Sequence, residues 1–204
     1  MHHDAASIRK LTVVLRRAPR WLRASAMVDL AHLLLGVRPA MRTRLNREVD
    51  AAVVRRWVRS LGYHASLDGD GFLVIARRPG LSARLLALDR AHGAHAHAFG
   101  LALGYPACCA KAAGRFGEAG IDAWSARIAA RRFIGDFRWI DPSGYLQGRA
   151  VICHVPCSSR CAKSLIMARR LVRAQGGPLA ARRRLPDGKT KLRGANGRWL
   201  EDRT

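Results

Sequence analysis

The fold class is decided at residues 63–76, which read YHASLDGDGFLVIA. Two short runs rich in β-forming residues flank an Asp-Gly turn, and this pattern predicts a β-hairpin that Pro79 and Gly80 then close. Apolar residues recur at helical spacing on both sides of it. The sequence therefore predicts a single α+β domain that is mostly helical, with this hairpin, one short buried strand and a basic C-terminal tail.

Helical periodicity extends outward from the hairpin in both directions. It predicts helices over residues 6–17, 20–36, 42–61, 81–99, 106–116, 119–133 and 160–174. Residues 149–153, RAVIC, predict the short buried strand, which Pro156 ends. The chain accordingly divides into an N-terminal helical region (1–62), a Cys/His-containing core (63–175) and a basic tail (176–204) that we expect to be exposed and partly disordered.

The composition is strongly basic, with 37 Lys and Arg residues against 14 Asp and Glu residues and a net charge of +23. A field of this sign favours nucleic acid, anionic membranes or anionic substrates as partners. We expect no membrane span, because the longest apolar stretch, residues 26–36, is interrupted by Asp29 and His32. The N-terminus also lacks the pattern of a secretory signal, so we expect a cytoplasmic protein with reduced thiols.

Five cysteines fall in two short windows, each at the start of a predicted helix. In the second window, Cys153, Cys157 and Cys161 are spaced four apart, and residues four apart on a helix lie on one face. A helix N-terminus carries partial positive charge and free N–H groups, which favour the thiolate that binds metals. The spacing therefore predicts that Cys157 and Cys161 point at the same spot.

The first window, residues 106–109 (PACC), repeats this arrangement. Adjacent helical residues point about 100° apart, so we expect one of the pair to face the site, with a slight preference for Cys109. Neither zinc-ribbon nor ferredoxin spacing is present. Three cysteines of the second window and one of the first could hold a four-iron cluster, which is the favoured cofactor. A zinc or iron ion is the alternative.

His154 is the best placed histidine, because it lies inside the second window. The spacing of His92, His95 and His97 does not put all three on one helix face, which favours surface or core positions for them. The predicted metal ligands are drawn from Cys108, Cys109, Cys153, Cys157, Cys161 and His154. Within this set the predicted catalytic groups are His154 and Cys108, and the predicted cofactor-binding residues are Cys109, Cys157 and Cys161. Ordinary burial of the cysteines as small apolar residues is the competing interpretation.

Two motifs in these windows resemble an uncharacterised prokaryotic family, domain of unknown function 483. Residues 104–109, GYPACC, are similar to its Gly-Tyr-Pro-x-Cys-Cys motif, and residues 154–161, HVPCSSRC, to its His-x-Pro-Cys-Ser-x-x-Cys motif. The resemblance spans residues 92–174 and leaves Cys153 outside the pattern. It implies that the two windows meet in space, with Cys108, Cys109, Cys157 and Cys161 as one ligand set and His154 nearby. It implies no particular reaction.

Three functions fit these observations. The first is an enzyme whose metal or iron–sulfur centre keeps an open position for an anionic substrate, such as a nucleotide, RNA or a sulfur-containing small molecule. Arg138, Arg149 and Arg160 are the basic residues nearest the motifs. The second is a nucleic-acid-binding accessory protein with a structural metal, and the third is a metal chaperone or thiol redox protein. No phosphate loop, dinucleotide-binding glycine motif or His-Glu-x-x-His helix is present, which argues against those chemistries.

The basic tail provides the contacts that the nucleic-acid hypothesis needs. The residues predicted to bind phosphates are Arg182, Arg183, Arg184, Lys189, Lys191, Arg193 and Arg198. Trp199 could stack on a base.

Overall fold

The computed structural model describes residues 13–15, 17–91, 95–130, 140–142, 144–148, 150–174, 183–184, 190–193 and 199–201. The predicted α+β, mostly helical fold is confirmed. Its elements are α1 (Ala26–Leu34), β1 (Ala40–Arg44), α2 (Ala51–Ser60), β2 (His64–Leu67), β3 (Phe72–Ala76), α3 (Pro79–Arg90), α4 (Ala96–Ala102), α5 (Ala107–Ala130), α6 (Ala162–Ala174), β4 (Arg183–Arg184), β5 (Thr190–Arg193) and β6 (Trp199–Glu201). None of the helices in the described part of the chain combines the length and apolar character that crossing a bilayer requires.

The predicted hairpin is present, and its turn is fixed by one side chain. Strands β2 and β3 pair antiparallel. The Asp68 carboxylate accepts hydrogen bonds from Asp70 N at 3.1 Å and Phe72 N at 2.8 Å. Gly71 has φ +79°, in the left-handed region that favours glycine. The turn therefore forms as predicted, because an aspartate side chain bonds to the backbone and a glycine adopts a positive φ.

A third strand joins this sheet and corrects the predicted helix over residues 42–61. Strand β1 pairs antiparallel with β3, giving the order β1-β3-β2. Met41, Thr43 and Leu45 are buried while Arg44 is exposed, which is the two-residue period of a strand. Helix α2 begins only at Ala51, where the carboxylate of Asp50 accepts a 2.7 Å hydrogen bond from Ala52 N. The sheet thus includes a strand from the region predicted to be helical, residues 1–62.

The central strand β3 is buried on both faces. One face packs against α1 and α2 in an apolar cluster, and the other packs against α3. Helix α1 also contributes to a separate cluster that contains three of the cysteines. The residues of α1 in that second cluster are Val28 and Ala31, whereas Leu30 and Leu33 pack toward the sheet. Helix α1 is therefore shared by the sheet and the cysteine-rich part of the core.

The predicted short buried strand is wrong in its secondary structure, although the segment is buried. Residues 150–153 form no strand among the described residues. Two of their carbonyls contact side chains instead of a neighbouring strand. The Val151 carbonyl lies 2.8 Å from His32 Nε2, and the Cys153 carbonyl accepts from the Tyr105 hydroxyl at 3.2 Å.

Several helix boundaries also differ from the prediction. Helix α1 begins at Ala26, because Leu22 forms a β-bridge with Leu45. The described residues of the stretch 81–99 belong to two helices, α3 and α4. The two helices predicted over 106–116 and 119–133 form one run, α5, with a break at Gly117, whose φ is +64°, and residues 131–133 lie outside the described residues. In the tail, strands β4, β5 and β6 pair antiparallel in that order, in a segment where the sequence predicted no regular structure.

Candidate metal centre

A tight turn places the first cysteine window at the start of α5. Gly104 forms this turn with φ +83°, and a Cβ there would lie 2.6 Å from the Cδ of Pro39, so only glycine fits without strain. Cys109 N donates to Pro106 O over 2.8 Å. Cys108 and Cys109 consequently lie in the first turn of the helix, as the sequence predicted.

The second window leads into α6. Cys161 immediately precedes the helix, and its carbonyl accepts a hydrogen bond from Leu165 N at 3.0 Å. Its own N–H donates to Ser158 O at 3.2 Å. Cys157 lies in the preceding loop, where its N–H donates to Cys109 Sγ at 3.4 Å. The two windows therefore meet where the N-termini of α5 and α6 converge.

Four sulfur atoms form one group. The Sγ atoms of Cys108, Cys109, Cys157 and Cys161 all lie within 4.8 Å of one another, which is a group that could hold a metal ion. Cys161 Sγ lies 3.7 Å from Cys108 Sγ and 3.6 Å from Cys109 Sγ. The two cysteine windows that meet here are 48 or more positions apart in the sequence.

Both cysteines of the adjacent pair face the site, contrary to the expectation that one would turn away. The Sγ atoms of Cys108 and Cys109 are 3.9 Å apart. Side chains of adjacent helical residues diverge by about 100°, but a site lying between the two directions can receive both. Cys109 is buried and Cys108 is half-buried, so the group has an inner and an outer side.

The protonation of the thiols follows from this burial. Burial raises the pKa of Cys109 well above its usual range, and burial with the neighbouring thiols raises that of Cys157 to about 11. Burial opposes ionisation of Cys161 as well, but hydrogen bonds from the side chain and backbone of Ser164 and from Cys109 lower its pKa to about 7. A metal ion that binds Cys109 and Cys157 as thiolates would therefore displace their protons.

His154 reaches this group through a serine. Its Nε2 lies 2.9 Å from Ser164 Oγ, which lies 3.3 Å from Cys109 Sγ. The His154 ring packs on Tyr105 with 5.1 Å between centroids, and burial lowers its pKa to about 3. The imidazole is therefore neutral at physiological pH. Ser164 lies between this imidazole and Cys109, and polar groups that contact metal ligands in this way orient them.

Cys153 lies outside the four-sulfur group and belongs to a buried polar network. Its Sγ accepts a hydrogen bond from Arg38, whose guanidinium also forms a 2.7 Å ion pair with Asp29. Tyr145 donates to the second carboxylate oxygen of Asp29. Burial raises the pKa of Cys153 to about 12, although Arg38 opposes this. The doubtful fifth cysteine is thus a neutral hydrogen-bonding partner in this network.

Arg38 also links this network to the helices of the site. Its Nε donates to Leu103 O at 2.7 Å, and its guanidinium lies 4.6 Å from the centroid of Tyr105. No sequence pattern distinguishes Arg38, Tyr145 or Ser164 as site residues. Asp29 did carry a signal, because it interrupts the apolar stretch of 26–36 and a buried carboxylate requires a partner.

The remaining predicted site residues lie elsewhere or outside the described residues. His95 and His97 are exposed and do not join the sulfur group. In the tail, Arg183, Arg184, Lys191 and Arg193 lie in β4 and β5. The predicted residues outside the described ranges are His92, Arg138, Arg149, Arg182, Lys189 and Arg198.

Comparison with known proteins provides no relative from which a function could be transferred. The chain matches no protein-family model, no curated protein and no solved structure.

Proposed function

We propose that this chain binds a single tetrahedral metal ion, zinc, through Cys108, Cys109, Cys157 and Cys161. The observation that carries the proposal is the spacing of the sulfurs. Zinc–sulfur bonds of about 2.3 Å in a tetrahedron put neighbouring sulfurs about 3.8 Å apart. The three separations among Cys108, Cys109 and Cys161 are 3.9, 3.7 and 3.6 Å.

This spacing favours a single ion over the four-iron cluster that the sequence favoured. In a four-iron cluster each cysteine binds a different iron, so the sulfurs surround a body of several atoms and stand farther apart. Four thiolates around one ion also fill its coordination positions, which is typical of structural zinc sites. We therefore propose a structural role, in which the ion ties the start of α5 to the start of α6.

A catalytic role, a metal-chaperone role and membership of a known family are separate proposals, and each depends on a different feature of the chain. Catalysis at the ion would need one thiolate to leave, and the half-buried Cys108 and Cys157 are the candidates on the outer side of the group. A metal chaperone or thiol redox protein would use the same outer pair. Membership of domain of unknown function 483 is a proposal that rests on the two sequence motifs of residues 104–109 and 154–161.

Metal content separates these possibilities. Anaerobically purified protein is expected to contain one zinc per chain by elemental analysis, no acid-labile sulfide and a colourless absorption spectrum. Cobalt substitution is expected to give the intense thiolate charge-transfer bands of a four-sulfur tetrahedral site. Iron with sulfide and a brown protein would overturn the zinc proposal in favour of the cluster. Metal that passes freely to an acceptor protein would instead favour the chaperone.

A second candidate function is nucleic-acid binding, and the net charge of +23 is the observation that favours it. In this proposal the metal is structural and the tail residues bind phosphates. Removing residues 177–204 takes away eight positive side chains, so affinity for a short DNA duplex should fall and the salt dependence should become shallower. Fluorescence anisotropy at several salt concentrations measures both quantities. Unchanged affinity would exclude the tail as the binding segment.

A further inference from the structure

We infer that a cluster of four exposed arginines in the folded domain, Arg20, Arg23, Arg44 and Arg47, binds the phosphate backbone of double-stranded nucleic acid. This arginine cluster lies on two segments joined by the antiparallel bridge between Leu22 and Leu45. The inference deepens the nucleic-acid candidate function. It places the contact on a surface that neither the sulfur group nor the tail contains.

The pairing of the two segments brings like charges together. Leu22 pairs with Leu45 in an antiparallel bridge, so Arg23 is opposite Arg44 in the register of the two segments. Arg20 and Arg47 follow two residues beyond the bridge, on the other side of it. Main-chain and side-chain hydrogen bonds from Asn46 to the carbonyls of residues 20–22, at 2.9 to 3.4 Å, hold this arrangement. Like charges directly opposite each other across paired strands are destabilising. A bound polyanion would offset that cost.

The arginines of the cluster form no ion pair within the described ranges. The Arg44 guanidinium lies over the Phe72 ring, 5.4 Å from its centroid. Between residues 17 and 72 the acidic residues are Asp29, Glu48, Asp50, Asp68 and Asp70, and the last two lie in the turn whose Gly71 carbonyl accepts a hydrogen bond from Leu45 N. Asp29 is buried with Arg38, and the Asp50 carboxylate caps α2. Glu48, Asp50 and Asp70 are exposed, so they offset part of the positive charge of the four arginines.

The adjacent helix extends the positive surface. Trp57 of α2 packs edge-on against Trp21, with 5.2 Å between ring centroids, which places α2 beside the paired segments. Its exposed basic residues are Arg55, Arg56 and Arg59, and the helix has no acidic residue. The positive field therefore covers more than the four clustered side chains.

The surroundings favour a nucleic-acid backbone over a membrane or stacked bases. Among described residues 17–67, Val53 is the only exposed large hydrophobic side chain, so an apolar anchor for a bilayer is missing there. Trp21 is 5% exposed and packs inward, so it offers no face for an unpaired base. Guanidinium groups match phosphate oxygens in a two-pronged geometry. These features fit sequence-independent contact with a duplex.

The test compares two full-length variants of equal charge, each with four arginines changed to glutamine. The first variant changes Arg20, Arg23, Arg44 and Arg47. The matched control changes four exposed arginines of α3, α5 and α6, namely Arg84, Arg115, Arg170 and Arg173. Binding to a short fluorescein-labelled DNA duplex is followed by anisotropy across a salt series. Zinc content and circular dichroism show that both variants are folded.

The cluster variant is expected to lose affinity at least about tenfold and to reduce the slope of log K against log salt by about 3.6, since each phosphate contact contributes about 0.9. The control is expected to keep most of the wild-type slope. Equal losses in the two variants would overturn this inference and leave nucleic-acid binding itself intact. Absence of binding by the wild-type chain, or preference for phosphatidylserine vesicles, would overturn both.

A stability measurement checks the like-charge argument independently of the ligand. In the absence of nucleic acid, the cluster variant is expected to melt at the wild-type temperature or above it, because repulsion is removed. A lower melting temperature would mean that the arginines serve the fold, and would count against a binding role. The double change of Arg23 and Arg44 to glutamine provides a smaller step should the fourfold variant fold poorly.

Discussion

Replacing Arg38 by alanine is expected to lower the free energy of unfolding by about 3–5 kcal/mol. The side chain of Arg38 is fully buried, and it connects Asp29, Cys153 and the carbonyl of Leu103. Its removal leaves the Asp29 carboxylate buried without its cation and leaves the Leu103 carbonyl without a donor. Urea unfolding followed by far-ultraviolet circular dichroism measures the loss.

A partly exposed arginine on the neighbouring strand provides the matched control. Arg42 forms a 2.9 Å ion pair with Asp89, with the arginine side chain 33% exposed. Its replacement by alanine is expected to cost no more than about 1 kcal/mol, because such pairs are screened by solvent. The double change of Asp29 and Arg38 to alanine should cost clearly less than the sum of the two single changes. An Arg38 variant as stable as the Arg42 control would contradict the importance of the network.

The features that the sequence predicted well are those fixed by local chemistry. The hairpin depends on Asp68 and Gly71, which act within four residues of each other. The first cysteine window lies at a helix start that Pro106 marks in the sequence, and this signal is local too. Convergence of the windows was expected from the motif resemblance. That Cys108 and Cys109 both face the sulfur group could not be predicted without the relative positions of α5 and α6.

What the sequence did not predict depends on partners distant in the chain. Residues 42–44 of β1 fall in the helix predicted over 42–61, because Leu45, Val49 and Val53 follow them at helical spacing. Only the pairing of β1 with β3 shows that these residues form a strand. Arg38 resembles any surface arginine in this basic chain until Cys153, 115 residues away, is brought next to it. The composition of residues 150–153 suits a buried strand. No strand forms there, and side chains of His32 and Tyr105 contact the carbonyls of Val151 and Cys153 instead.

Replacing Cys161 by serine is expected to abolish stoichiometric metal binding and to remove about 4 kcal/mol of stability at metal concentrations near 1,000 times Kd. Cys161 Sγ lies within 3.7 Å of the sulfurs of Cys108 and Cys109, and hydrogen bonds lower its pKa to about 7. Serine is a poor ligand for zinc, so three sulfurs would remain. Zinc released to a chromophoric chelator, with thermal melting before and after chelation, measures both effects.

Cys153 provides the control that decides the membership of the site. Cys153→Ser keeps an acceptor for Arg38 in the buried network and leaves the four-sulfur group untouched. This variant is therefore expected to retain one metal per chain, while Cys161→Ser retains none. Because the proposed ion would join the starts of α5 and α6, chelation should increase hydrogen exchange there more than in β3, which the sheet core protects independently. Metal loss in both serine variants, or exchange raised uniformly over the chain, would show that the ligand set or its structural role is wrong.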